Sequence, residues 1–320
     1  MQEGASMDWG DIKAAGLSCY NIKRIKERKR YYIYLLRCAL HRNAIGELDR
    51  FFHATSLRQD VLHGRPCLLE QATRAFFYKG STVEERVQLI EHHISFLEQQ
   101  TVPDFLRTIY TQKHTEEGRI TLWQDTFQDQ PLTLDLLFHP GQRKEGCLSL
   151  VLHLGTLDFY QLMFWLAPTP DTGKPCCWVG ALQGTTLGKE AVKAMTKQYF
   201  GYRTKNLIFY GLRTLADFLG CSEIRAVTNA GYYAMNHLRM DRKLKTNFGD
   251  FWAECGGTPS ADPRFYQIPL EEERRDLSEF KPSKRANHRR RYALMDAMRK
   301  EICEKITPYL ASPVAKKNNL

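Results

Sequence analysis

The residues around Gly201 have the composition of an anion-binding turn. This glycine precedes a predicted helix, and Lys197, Arg203 and Lys205 surround it. The first N–H groups of a helix lack partners and its dipole is positive at that end, so the turn suits a phosphate or pyrophosphate. The alternative is a helix connection with solvated lysines. The candidate cofactor-binding residues are Gln198, Gly201, Arg203 and Lys205.

Positive charge is concentrated in two short segments. Residues 21–30 carry six Lys and Arg and one Glu, and residues 281–300 carry eight Lys and Arg and one Asp. The chain as a whole carries +10, so the other 290 residues are slightly acidic, with a net charge of −2. Clustered charge indicates a polyanionic partner. The candidate residues for binding an anionic surface are Lys23, Arg24, Arg28, Lys29, Arg30, Lys284, Arg285, Arg289, Arg290 and Arg291.

The first basic segment is followed directly by Tyr31, Tyr32 and Tyr34. Basic residues beside aromatic ones suit a membrane interface, where the charges meet anionic headgroups and the rings lie at headgroup level. A nucleic-acid surface would instead interleave the two types. We therefore expect peripheral contact with anionic phospholipid or an envelope glycolipid, and nucleic acid is the least favoured partner.

The second basic segment opens an amphipathic helix that continues to Lys305. Its arginines can clamp phosphate in bidentate fashion, which suits nucleic acid, phospholipid headgroups or a phosphorylated glycolipid. Alternatively, Arg289 and Arg290 pair with the acidic run at 271–273. The apolar stripe of this helix consists of Tyr292, Met295, Met298 and Ile302.

No metal site is predicted. His92 and His93 are adjacent and are expected to be surface or hydrogen-bonded core histidines. The nine cysteines form no CxxC pair, which fits a reducing compartment, and Cys176 and Cys177 read as ordinary buried thiols.

The apolar spacing divides the chain into a helical and a strand-rich part. Residues 18–115 read as about four helices, one of them starting with a capping box of Ser81 and Glu84. Beyond Gly118, short β-rich runs separated by turns predict an antiparallel meander. Two helices (188–200 and 205–219), a strand (223–228) and a closing hairpin built from 248–257 and 264–270 follow.

The predicted fold class is therefore α+β, with a helical N-terminal part followed by a mostly antiparallel sheet flanked by helices. The expected domains are 1–115, 116–310 and a flexible tail at 311–320. The acidic, polar N-terminus does not resemble a secretory signal. Residues 147–167 are long enough to cross a bilayer, but His153 and Asp158 argue for two buried strands with a turn at Gly155. We expect a cytoplasmic protein without a transmembrane segment, in contact with the inner membrane.

The order of elements around Gly201 resembles the GNAT acyltransferase superfamily. In that superfamily a Q/R-x-x-G-x-G/A turn holds the pyrophosphate of acyl-coenzyme A, and residues 198–203 match all but its last position, where Arg203 stands. A helix at 188–200 also intervenes between strand and turn. The resemblance implies acyl-coenzyme A as the cofactor and Tyr232 or Tyr233 as candidate general acid, although both tyrosines can equally be packing aromatics. Strand 176–184 offers no carboxylate as general base.

Four segments carry a second resemblance: 178–184 (WVGALQG), 194–206 (AMTKQYFGYRTKN), 248–257 (FGDFWAECGG) and 288–296 (HRRRYALMD). Together they resemble the VirK/YbjX family of Gram-negative bacteria. This resemblance implies a cytoplasmic or inner-membrane-associated protein that contributes to virulence, envelope integrity and resistance to antimicrobial peptides, without an established reaction. The expected function is accordingly an acyltransferase-like enzyme acting on a lipid or glycolipid, or a non-catalytic binder of anionic lipid or of an envelope partner.

Overall fold

A computed structural model describes residues 8–112, 117–184, 189–235 and 247–312. The predicted boundary at 115/116 and most of the predicted tail lie outside these ranges. Within them, seven helices precede the sheet: α1 (Trp9–Cys19), α2 (Ile25–Leu40), α3 (Arg42–His53), α4 (Ser56–Gly64), α5 (Cys67–Thr73), α6 (Val83–Gln100) and α7 (Pro103–Thr111).

The helical character of the N-terminal part is confirmed, but the expected number of helices is wrong. His41 ends α2 and also begins α3, and the Thr55 side chain caps α4 directly after α3. These breaks contain no glycine or proline, so the sequence pattern did not reveal them. The capping box lies one residue later than predicted, at Thr82 and Glu85, because the Ser81 hydroxyl donates to a main-chain carbonyl instead.

The strands form one sheet in which all neighbours are antiparallel except one pair. The order in the sheet is β1-β2-β3-β4-β5-β6-β8-β7. The two strands predicted within 147–167 are confirmed, with Gly155 at a φ of 59° in the turn between them. The strands are β1 (Arg119–Phe127), β2 (Gln130–Leu137), β3 (Leu148–Leu154), β4 (Leu157–Pro168), β5 (Pro175–Gly184), β6 (Glu223–Val227), β7 (Thr258–Pro259) and β8 (Phe265–Ile268).

Four further helices flank the sheet: α8 (Lys189–Gln198), α9 (Thr204–Phe218), α10 (Phe248–Glu254) and α11 (Pro282–Ile306). The prediction of a strand at 248–257 is wrong, because the buried aromatic residues there recur at helical spacing and the Asn247 side chain caps the first turn. The closing hairpin is formed by β7 and β8.

The one parallel pair, β5 with β6, opens at its carboxyl end. The two strands pair from Cys176 opposite Glu223 to Val179 opposite Ala226. β6 ends one residue later, whereas β5 continues along β4 to Gly184. Beyond this point β5 no longer pairs with β6, and β4 is the strand that continues to pair with its last residues.

One hydrophobic core runs through the helical part and the sheet. His93 lies in it, where its Nδ1 accepts the Leu166 N–H at 3.0 Å and its Nε2 is 2.8 Å from the Tyr110 hydroxyl. Burial lowers the pKa of His93 to about 3, so it is a neutral core histidine, whereas His92 is exposed. The apolar stripe of α11 is confirmed, since Met295, Met298 and Ile302 are buried.

The nine cysteines are free, and Cys176 and Cys177 are buried. Within the described ranges, no helix is both long enough and apolar enough to span a bilayer.

Candidate functional site

A buried carboxyl group lies where β5 and β6 separate. Glu145 belongs to the segment between β2 and β3, and this segment lies directly on β5 at Gly180. A Cβ atom at position 180 would be 1.8 Å from the Glu145 carbonyl oxygen, so only glycine permits the contact. Glu145 is only 2% exposed. The close approach of the two backbones thus fixes the carboxyl group beside the end of β5.

Both candidate tyrosines bind this carboxyl group. The Tyr232 hydroxyl donates to Glu145 Oε1 at 3.0 Å, and the Gln183 amide, from the end of β5, lies 3.4 Å from the same oxygen. The Tyr233 hydroxyl also hydrogen-bonds to Glu145. The tyrosine rings pack edge to face with centroids 4.9 Å apart. The two tyrosines are therefore packing aromatics whose hydroxyls also face a buried acid.

The environment tunes the protonation of this group. Burial raises the pKa of Glu145 to about 7, and the hydrogen bonds from Tyr232 and Tyr233 and the charge of Lys144 offset part of that rise. Burial and the neighbouring carboxylate hold the pKa of Tyr232 well above its ordinary value. At neutral pH the carboxyl group can thus accept or give a proton, while Tyr232 remains a proton donor.

Sequence reasoning missed Glu145. It is 87 residues from Tyr232 in the chain and lies in a polar turn segment, where a glutamate carries no signal of burial. The predicted absence of a carboxylate from β5 itself is correct, since the carboxylate reaches β5 from a neighbouring segment.

The Gly201 turn precedes α9 as predicted, and two of its positive charges, Arg203 and Lys205, already have a partner. Gly201 has a φ of 77°, and its N–H donates to the Thr196 carbonyl rather than pointing outward. Arg203 and Lys205 both reach Glu254 Oε2, at 2.6 and 3.4 Å. The cation pair lowers the pKa of Glu254.

The Glu254 carboxylate is therefore the anion that Arg203 and Lys205 bind in this structure. A phosphate would have to displace this side chain. The fourth candidate, Gln198, lies apart from the cations, because its amide donates to the Thr126 carbonyl of β1 at 2.8 Å.

The second basic cluster is divided between structural and exposed residues. Arg291 donates to the Phe200 carbonyl at 2.9 Å, beside the Gly201 turn, and Arg285 donates to the Phe280 carbonyl at 3.0 Å. Lys284, Arg289 and Arg290 are exposed. Among the residues for which the structure gives contacts, neither Arg289 nor Arg290 forms an ion pair with the acidic run at 271–273. Within that run, Glu272 pairs with Arg213 and Tyr202.

The first basic cluster lies on an unusually apolar surface. All seven large apolar side chains that are exposed in the described ranges belong to residues 9–40. On α2 they recur at helical spacing, from Ile25 at 76% exposure to Leu40 at 71%. Lys23, Arg24, Arg28, Lys29 and Arg30 are all exposed as well. We call the exposed surface of α1, α2 and the loop between them the α1–α2 face. Its apolar members are Trp9, Leu17, Ile22, Ile25, Tyr32, Leu36 and Leu40.

Comparison with known proteins places the chain among relatives without an assigned role. A family model described as "Protein of unknown function (DUF535)" matches residues 23–304. The uncharacterized protein YbjX of Escherichia coli K12 is 28% identical over 178 residues, 54% of this chain and about half (53%) of that relative. Two uncharacterized proteins of Haemophilus influenzae are 24% and 22% identical, over 88% and 87% of this chain and 91% and 89% of their own lengths. No solved structure matches the chain.

Proposed function

The chain belongs to the DUF535 family, as its resemblance to VirK/YbjX proteins predicts, and we propose that it acts at an anionic membrane surface through its α1–α2 face. The observation that carries this proposal is the coincidence of the exposed apolar side chains with the first basic cluster. On α2 the stripe from Ile25 through Tyr32 and Leu36 to Leu40 has Arg28 and Lys29 interleaved with it. That arrangement is typical of a helix that lies in the headgroup region of a bilayer.

Both components of the face contribute to binding. A fully buried large apolar side chain gains roughly 1.5–3 kcal/mol, and each Lys or Arg near an anionic surface gains about 1 kcal/mol. Leaving such a stripe in water carries the corresponding cost, so the face favours a partner that offers both apolar depth and negative charge. Anionic phospholipid of the inner leaflet meets both conditions, and a phosphorylated glycolipid shares the headgroup chemistry.

Vesicle flotation tests the membrane proposal. We expect the chain to float with phosphatidylethanolamine–phosphatidylglycerol vesicles and not with phosphatidylcholine vesicles. Replacing Arg28 and Lys29 with Gln removes two charges and should weaken binding about thirtyfold. The matched control is the double Lys174→Gln, Lys193→Gln variant, which removes the same charge from exposed positions elsewhere.

A second variant tests the contribution of the apolar side chains of the α1–α2 face. Leu36→Gln with Leu40→Gln should reduce flotation without changing net charge. Equal binding to neutral and anionic vesicles would contradict the proposal. So would a loss of binding in the Lys174→Gln, Lys193→Gln control as large as that in the Arg28, Lys29 variant.

The Arg289→Gln, Arg290→Gln variant asks whether the second basic cluster also contacts the bilayer. Steeply salt-dependent retardation of random RNA or DNA, with no flotation, would favour nucleic acid instead.

A second candidate function is acyl transfer at Glu145. It is supported by the buried carboxyl group with its raised pKa, placed beside two tyrosine hydroxyls where β5 and β6 separate. It also rests on the resemblance of the sequence to the GNAT superfamily around the Gly201 turn that precedes α9. Such an enzyme would acylate a lipid or glycolipid acceptor held at the membrane, which fits the contribution to envelope integrity and antimicrobial-peptide resistance implied by the VirK/YbjX resemblance.

In the proposed acyl transfer, one residue removes a proton from the acceptor and another gives a proton to the leaving group. Glu145 takes the proton from an acceptor hydroxyl or amine as the oxygen or nitrogen bonds to the thioester carbonyl carbon. Tyr232 gives its proton to the sulfur as the carbon–sulfur bond breaks, and the hydrogen bond between the two residues returns the proton from Glu145 to Tyr232. Arg203 and Lys205 would hold the pyrophosphate of coenzyme A once Glu254 releases them.

An assay of catalytic turnover distinguishes acyl transfer from membrane binding without catalysis. We expect the purified chain to release free coenzyme A from acyl-coenzyme A in the presence of extracted envelope lipid, and Glu145→Gln to lower this rate at least a hundredfold. Tyr232→Phe should lower it less, because Tyr233 remains beside the carboxyl group. Wild-type turnover without any loss in Glu145→Gln would refute the assigned role. Flotation without turnover would leave membrane binding as the function.

A further inference from the structure

A group of two carboxylates and one imidazole joins α1 to α3, outside the sites described above. Asp11 comes from α1, and Asp49 and His53 come from α3. His53 Nε2 lies 3.2 Å from Asp11 Oδ2, and His53 Nδ1 lies 3.7 Å from Asp49 Oδ1. One ligand atom from each of the three residues can be chosen so that all lie within 4.8 Å of one another.

The hydrogen bonds around the group leave its inner atoms without a donor among the residues that the structure describes. His53 Nδ1 lies 2.9 Å from the Asp49 main-chain oxygen, which accepts only, so the Nδ1–H donates to it. A neutral His53 then turns the lone pair of Nε2 toward the Asp11 carboxylate, and the two repel unless a positive charge lies between them.

Asp49 supplies an independent sign of a missing ligand. The residue is only 4% exposed, and its Oδ2 accepts the Asp8 N–H at 2.9 Å. Its Oδ1, on the side of His53, has no hydrogen-bond partner among the described residues. A buried carboxylate oxygen without a donor costs free energy, and a cation would remove that cost.

We propose that Asp11, Asp49 and His53 bind a divalent cation of the zinc type. Imidazole nitrogen and carboxylate oxygen are both zinc ligands, and bonds of about 2.0–2.2 Å in a tetrahedron place ligand atoms about 3.3–3.6 Å apart, close to the 3.2 Å between His53 Nε2 and Asp11 Oδ2. The surroundings also fit, because a metal-binding histidine usually donates its other N–H to a carbonyl, and metal-binding carboxylates are themselves hydrogen-bonded.

The cation would fasten α1 to α3 and so fix one of the two helices of the α1–α2 face. The site does not depend on membrane binding or on catalysis, because none of its three residues belongs to either proposal. A proton on Nε2 is the competing occupant, since a protonated His53 would also bridge the two carboxylates.

Cobalt titration of the full chain tests the site. Binding of Co²⁺ is measured by its visible absorption, and binding of Zn²⁺ by its competition with Co²⁺. We expect one equivalent of Co²⁺ with the visible bands of a tetrahedral nitrogen and oxygen site and without a thiolate charge-transfer band, displaced by Zn²⁺. His53→Ala and Asp11→Asn should each weaken binding by at least about 100-fold, since even second-shell changes cost about 10–100-fold. Asp11 is partly exposed, so the second variant should keep the fold, which circular dichroism would verify.

The matched control is His41→Ala. His41 is another partly exposed histidine with a carboxylate neighbour, Glu84 at 3.3 Å, and its loss should leave cobalt binding unchanged. A thiolate band would assign the metal to cysteines and overturn the proposal. Unchanged affinity in His53→Ala would do the same, and no binding of either metal would leave the proton as the occupant.

Discussion

Replacing Glu145 with glutamine should make the protein more stable at high pH. Glutamine has nearly the same shape as a protonated glutamate and remains uncharged at every pH. It can still accept the hydrogen bond from Tyr232. The change therefore removes the charge without removing the packing of the segment on β5.

The size of the effect follows from the pKa of the buried acid. Burial raises the pKa of Glu145 from 4.5 to about 7. Between these pH values the folded chain holds a proton that the unfolded chain has released, so the free energy of unfolding falls as pH rises. At about 1.4 kcal/mol for each pH unit, the loss across this window comes to about 3 kcal/mol.

Urea unfolding of both proteins from pH 4 to 9 measures this difference. The free energy of unfolding of Glu145→Gln minus that of the natural chain should increase by about 3 kcal/mol between pH 4.5 and 8 and then level off. Other titrating groups are common to both proteins and cancel in the difference. Tyr232→Phe provides a directional control, because loss of its hydrogen bond should move the window to higher pH. A flat difference, or one that falls with pH, would refute the assignment of a buried acid at this position.

Three further predictions test other contacts of the structure. Gly180→Ala should destabilise the chain by roughly 1–3 kcal/mol in urea unfolding, because the new Cβ meets the Glu145 carbonyl, and an unchanged midpoint would contradict the close contact. His93→Leu should cost roughly 1–3 kcal/mol, since it leaves the buried Leu166 N–H without an acceptor while the Tyr110 hydroxyl keeps its bond to the Cys147 carbonyl, whereas the exposed His92→Leu should stay within about 0.5 kcal/mol. Glu254→Gln should raise the affinity for coenzyme A several-fold in calorimetry by releasing the cations at α9, and no gain would show that this turn does not bind the cofactor.

The α1–α2 face shows why the first basic cluster differs from the second. Both clusters carry a high density of Lys and Arg, and both open a helix. In α11, Arg285 and Arg291 donate to main-chain carbonyls, so part of the charge is structural. The cluster on α2 is exposed throughout and lies among exposed apolar side chains. Exposure, which depends on how the helices pack, separates a contact surface from a structural basic segment.

Local patterns in the sequence were sufficient for most of the elements. The helical spacing before residue 115, the strands on either side of Gly155 and the apolar stripe of α11 are properties of neighbouring residues, and the structure confirms them. The aromatic segment at 248–257 was assigned to the wrong element, because its few apolar residues fit a buried strand as well as one short helix.

The sequence by itself determined the helical and strand-rich parts, the two basic clusters and the candidate tyrosines, because each is encoded in residues close together in the chain. Only the tertiary structure decided which of these meet. It brought Glu145 to Tyr232 across 87 residues, gave Arg203 and Lys205 the carboxylate of Glu254, and set Asp11 beside His53. Burial and proximity arise from packing between distant segments. They set the pKa of an acid and the partner of a cation, and so decide which residues are available for chemistry.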